Sequence, residues 1–177
     1  MKNLGTFLLV TVALLTSLPA LAATMRAGHT LLESLPIEND VYLAGGKVVV
    51  EGEIGGDAVV AGGQLLLNAP VAKDLLMAGG SLLINGPVGG DIRVAGGDIT
   101  ISQSVGEDLI LAGGSVTISR GATIGGDLLV AGGKVIIEGQ VKGNAEIVGG
   151  EVVFSGMIEG DARFRAIETL SINGRVA

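Results

Sequence analysis

A repeat of 17 residues fills most of this 177-residue chain and decides what it can fold into. Ala-Gly-Gly triplets begin at Ala44, Ala61, Ala78, Ala95, Ala112 and Ala131, and a Val-Gly-Gly variant begins at Val148. Successive starts lie 17 residues apart except once, where two extra residues near Arg120-Gly121 make the step 19. A period of this size marks a stacked repeat, in which each unit is too small to bury its own apolar side and needs the units above and below it.

Aligned on that period, residues of one kind fall into columns. Val or Ile stands at Ile37, Ile54, Val71, Val88, Val105, Ile124, Val141 and Ile158. Three residues further on in each unit come Asp40, Asp57, Asp74, Asp91, Asp108, Asp127, Asn144 and Asp161. Two alternating apolar pairs follow, Val41/Leu43 and Val48/Val50 in the first unit and Leu128/Val130 and Val135/Ile137 in a later one. Alternation at every second residue places those side chains on one face of an extended strand. The pattern predicts about three short strands per coil, with Gly-Gly turning the corner between two of them. The inward spacings are 2, 5, 2, 4 and 4 residues, unlike the sixfold aliphatic spacing of a left-handed hexapeptide helix. Parallel crossovers are right-handed in nearly all folds. The expected fold is all-β: a right-handed parallel β-helix, or β-solenoid, of about eight 17-residue coils over residues 37–177. With strands ~4.8 Å apart, the rod is roughly 38 Å long. Residues 23–36 are expected to form an N-terminal lead that caps one end.

Composition agrees with many short strands. Aromatics make up 2% of the chain against 31 glycines, so apolar area must come from Val, Ile and Leu, which suit a pleated surface. No cysteine is present, and the fold is held without disulfides. Residues 1–22 read as a signal peptide, with Lys2 as the positive region, Leu4 to Leu18 as the apolar stretch and Pro19-Ala20-Leu21-Ala22 as the cleavage site. The chain is therefore expected to be periplasmic or secreted. The alternative is an uncleaved N-terminal anchor, although about 15 apolar residues fall short of the ~20 that a spanning helix prefers. Removing this segment takes away Lys2 and no acid, leaving 10 basic against 18 acidic side chains and a net charge of −8. Such a balance argues against nucleic acid as a partner.

The stacked acids suggest a cation array at first sight, with Asp57, Asp74, Asp91, Asp108 and Asp127 as weak metal candidates. Their setting, Gly-Gly-Asp followed by Ala-Gly-Gly, differs from the calcium-binding nonapeptide Gly-Gly-x-Gly-x-Asp. The favoured reading is that each carboxylate accepts hydrogen bonds from glycine amides in its own corner. The outward positions are more apolar than a solvated face requires. Val49, Leu66, Leu83, Ile136 and Val153 form one stripe, and Val59, Leu76, Ile110 and Leu129 form another. Aligned stripes of this kind mark contact surfaces. The last unit replaces its Gly-Gly and reads Arg163-Phe164-Arg165-Ala166-Ile167-Glu168, so that end is either a cap or an adhesive face. Phe154 and Phe164 fall at inward positions there. With Leu66, Leu83, Leu76 and Ile110 they are the candidate self-association residues. His29 is the single histidine and has no neighbouring acid closer than Glu33, so it reads as a solvated side chain.

The recurring β-branched residue, Gly-Asp, Ala-Gly-Gly and alternating aliphatic strand over residues 37–177 resemble the bactofilin or polymer-forming cytoskeletal family. The resemblance implies a right-handed β-helix that polymerises end to end without nucleotide, near membranes and cell-wall machinery. The apparent export signal departs from cytosolic members and shifts the expected role to a scaffold in the cell envelope. An enzyme is not expected: the repeats are of nearly minimal length, no histidine lies within 37–177, and the acids form a uniform column with no distinct acid–base pair. No cofactor or small-molecule substrate is expected either. The expected partner is a second copy of the chain, as a homopolymer, with envelope proteins or cell wall as further candidates. The alternative is a secreted β-solenoid binding module for cell-wall polysaccharide or another envelope protein. Against it, Tyr42 is the one outward aromatic, and only Thr100/Ser102 and Thr117/Ser119 approach the hydroxyl array of an ice-binding face.

Overall fold

A computed structural model describes residues 23–177, and the signal-peptide and anchor readings of residues 1–22 lie outside it. The described residues make thirteen strands: β1 (Thr24–Glu33), β2 (Val41–Val50), β3 (Ala58–Leu67), β4 (Leu75–Ile84), β5 (Ile92–Ile101), β6 (Leu109–Ile118), β7 (Thr123–Ile124), β8 (Leu128–Ile137), β9 (Gln140–Val141), β10 (Ala145–Phe154), β11 (Met157–Ile158), β12 (Ala162–Ile172) and β13 (Arg175–Val176). Nine of them form one parallel sheet in the order β1-β2-β3-β4-β5-β6-β8-β10-β12, and the two-residue strands form a second sheet, β13-β11-β9-β7. Rungs pair residue for residue at the repeat spacing, as in Val41↔Ala58, Leu43↔Val60, Val48↔Leu65 and Val50↔Leu67. This is the stacked parallel β-solenoid that the columns predict.

Two details differ from expectation. The first is the number of strands per coil. Ala-Gly-Gly does not separate two strands; it lies inside one ten-residue strand whose pairing continues through the first glycine and resumes at Lys47. A coil is thus one long strand plus a single bridge or two-residue strand at the Val/Ile column, such as Ile54↔Val71. The glycines still mark a bend, because burial is in phase at Val41 and Leu43 and again at Val48 and Val50, five residues on from Leu43. An odd step between inward residues requires the strand to turn.

No glycine among the described residues has positive φ, so the bend does not use left-handed backbone. Close approach explains the glycines. A Cβ on Gly80 would lie 2.8 Å from the carbonyl oxygen of Gly63 one rung below, and one on Gly133 would lie 2.9 Å from that of Gly114. A Cβ cannot approach a backbone oxygen that closely.

The second difference is the number of rungs. Residues 24–33 are not a separate lead but a ninth rung, paired in register with β2 as Thr24↔Val41, Arg26↔Leu43, Leu31↔Val48 and Glu33↔Val50. The eight expected coils are therefore nine. Five columns of inward side chains fill the interior, and one of them, Val50, Leu67, Ile84, Ile101, Ile118, Ile137 and Phe154, is at most 1% exposed. The two extra residues at Arg120-Gly121 form a turn outside the stack, since Leu109 still pairs with Leu128 and Ile118 with Ile137.

Candidate assembly surfaces

The acid column runs along the rod axis. Each Oδ1 accepts the backbone N–H of the acid one rung on: Asp57 donates to Asp40 at 2.9 Å, Asp91 to Asp74 at 2.9 Å, Asp108 to Asp91 at 2.9 Å and Asp127 to Asp108 at 2.8 Å. Asn144 continues the series through its amide oxygen, which accepts the Asp161 N–H at 3.0 Å. The donors are thus not glycine amides of the acid's own corner, as expected from the sequence, but amides of the next coil. Glycine contributes room instead: a Cβ on Gly56, Gly90, Gly126 or Gly143 would collide with the Oδ1 of Asp40, Asp74, Asp108 or Asp127. Asp57, Asp74, Asp91, Asp108 and Asp127 are thereby joined as a hydrogen-bonded seam. Among the described residues no group of three or more His, Cys, Asp or Glu is arranged to hold a metal ion.

Two side faces meet at the glycine bend. On the first, the column Met25, Tyr42, Val59, Leu76, Arg93, Ile110 and Leu129 runs beside the alanine column from Ala27 to Ala131. Leu76 is 49% exposed and Ile110 39%. Arg93 interrupts this column, its guanidinium 2.7 Å from the Asp91 carboxylate. The second face carries Leu66, half-buried, and Leu83, at the margin of exposure, one rung apart. It is more polar, with Lys134 bridged to Glu151 at 3.2 Å and Asn85 donating to Asn68 at 3.1 Å. The four aliphatic candidates are therefore split between two surfaces.

The ends of the rod differ from the sides and from each other. At the C-terminal end β12 follows β10 with one extra residue, and the register shifts at the bend, where Ala166-Ile167-Glu168 replaces the usual glycines. The bulge pushes Ile167 into solvent. The inward columns end in Phe164, Leu170, Ile172 and Val176, and no described rung lies over them. Leu170, Ile172 and Val176 are 44%, 49% and 43% exposed, whereas their counterparts one rung below, Val152, Phe154 and Ile158, are fully buried. Phe154 is therefore an interior residue and not an accessible contact. It lies beneath the surface with its ring centroid 5.4 Å from that of Phe164, which is partly buried.

At the N-terminal end the inward positions of β1 hold Thr24, Arg26, Leu31 and Glu33. Arg26 and Glu33 form an ion pair across the end of the core, and Glu33 is the one buried charged residue among those described. Sequence reading had missed Arg26, Glu33, Leu170, Ile172 and Val176. A signal for the first two was present, because Ala27-Gly28 lies 17 residues before Ala44-Gly45 and places β1 in the repeat.

No family model, curated protein or solved structure matches this chain. Among the described residues no helix is long and apolar enough to cross a membrane.

Proposed function

We propose that the protein is a non-enzymatic structural scaffold whose rods associate with one another through their ends, and that it acts in the cell envelope after export. One observation carries this reading: in the last described rung Leu170, Ile172 and Val176 are about half exposed. Fully burying one such side chain contributes ~1.5–3 kcal/mol. Part of that gain is already realised within the rung, and association costs ~4–15 kcal/mol in lost freedom. The contact is therefore weak and concentration-dependent, with the free backbone edge of β12 adding hydrogen bonds to an incoming strand. Arg163, Arg165 and Arg175 lie on this last rung and its short strand, with Arg165 3.4 Å from Glu146 in the rung below.

The pattern over residues 37–177 supports placing the chain as an exported relative of the bactofilin family. Export is supported by Lys2 and the apolar run from Leu4 to Leu18. The apolar face bearing Tyr42, Leu76 and Ile110 supports a second contact, side by side, with another rod or an envelope protein.

Sedimentation of protein recovered from cells expressing the full chain tests the reading. Association that rises with concentration, and is lost in Leu170→Lys/Ile172→Lys, is the expected result. A wild-type protein that stays monomeric across the concentration range excludes it. The mass of the same preparation reports whether the chain begins at Ala23, as cleavage after Ala22 requires.

A further inference from the structure

The first rung differs from every other in what it turns toward the core. In the seven rungs above it, the column that includes Leu43 continues with Val60, Met77, Val94, Leu111, Val130 and Ile147, all buried and apolar. The column that includes Val50 is likewise aliphatic as far as Phe154. In β1 these two positions are Arg26 and Glu33. Glu33 has a side chain only 4% exposed, while the Arg26 side chain is 52% exposed and spans the end to reach it. A charged pair at inward positions is thus confined to the outermost described rung.

We propose that the Arg26–Glu33 pair is a stacking block, which keeps a second copy of this chain from docking on the β1 end. A rod arriving with its β12 end in repeat register would set Phe164 on Arg26 and Ile172 on Glu33. Arg26 would lose the water on its exposed half and gain no hydrogen-bond acceptor from those apolar side chains. Burying an ion pair without added partners is unfavourable, and replacing it with apolar residues of similar volume is neutral or stabilising. Inward-pointing charge is also a known way in which sheet proteins prevent edge-to-edge growth. The consequence is directional: the β12 end of one rod is refused at the β1 end of another, so head-to-tail growth is blocked and end contacts pair rods through their β12 ends. Longer assemblies need the side faces. This inference rests on the proposal that the ends are assembly surfaces.

The test replaces the pair by the residues of its own columns, Arg26→Leu/Glu33→Val, in the full-length gene. Wild type is expected to stop at pairs in sedimentation and to show no long rods by electron microscopy. R26L/E33V is expected to grow into open-ended rods, and the swapped R26E/E33R to stop at pairs as wild type does. Combining R26L/E33V with L170K/I172K leaves only the β1 end adhesive, and that protein is expected to pair where L170K/I172K alone is monomeric. Long wild-type rods that persist in L170K/I172K, or R26L/E33V no more associated than wild type, would overturn the block. If wild type is monomeric but R26L/E33V associates, the block stands and the β12 reading falls. Should R26L/E33V lose its β-sheet circular dichroism, Arg26→Met with Glu33→Gln removes the charge at nearly constant volume and carries the same test.

Discussion

At the scale of single residues, what a position tolerates depends on the rung beneath it more than on its own neighbours in sequence. Gly79 and Gly121 illustrate this. A Cβ on Gly79 would collide with the Gly62 carbonyl oxygen, whereas one on Gly121, in the inserted turn, meets only the Ser102 carbonyl oxygen at 3.3 Å. Gly79→Ala is expected to destabilise by ~1–3 kcal/mol through overpacking against backbone. Gly121→Ala is expected to stay within about 0.5 kcal/mol of wild type, as surface changes do. Urea denaturation of both variants measures the difference. The acid seam makes a parallel statement about side chains. Asp108 accepts the Asp127 N–H, and Asn144 shows that an amide oxygen serves equally in that position. Asp108→Asn should therefore leave stability within about 0.5 kcal/mol. Asp108→Ala should lose ~0.5–1.5 kcal/mol, the net worth of one hydrogen bond. Equal losses in the two variants would show that charge and not acceptor geometry matters there.

At the scale of elements, each rung is interchangeable with its neighbours because pairing depends only on the repeat spacing. Removing residues 92–108 joins Asp91 directly to Leu109 and keeps the order of acid, strand, bend and bridge. Such a shortened chain is expected to fold to an eight-rung rod with cooperative thermal unfolding at a lower midpoint, since stability in stacked repeats grows with the number of interfaces. Circular dichroism against temperature checks this; a non-cooperative melt would show that the deleted rung has a special role. The strand itself was only partly legible in sequence. Two apolar pairs separated by Gly-Gly look like two strands with a turn, because local glycine usually signals a break. Pairing with the coils on either side carries one strand across the bend, and only the five-residue step from Leu43 to Val48 records the bend.

For the whole molecule, the stack and its five interior columns were legible because one period repeats with few exceptions. The ends were not, because they are where the period fails. Arg26 and Glu33 occupy core columns, yet they look like ordinary surface charges until β1 is paired with β2. Phe154 and Phe164 look alike as aromatics near the chain's last units, but one rung of cover separates a fully buried ring from a partly exposed one. The acid seam was visible as a column of Asp, while its hydrogen-bond donors were not, since bonds made along the rod axis leave no local sequence pattern.

The uniformity that makes this rod simple also leaves it without landmarks. Slipping a folding strand by one full repeat would satisfy almost every column, so a chain of nine like turns has little to tell it which turn is which. The features that break the pattern supply those addresses: an opening turn with a charged pair in two core columns, a two-residue loop two-thirds of the way along, and a closing turn with one residue too many. Erasing them would cost little cohesion and would leave the chain free to fold out of step with itself.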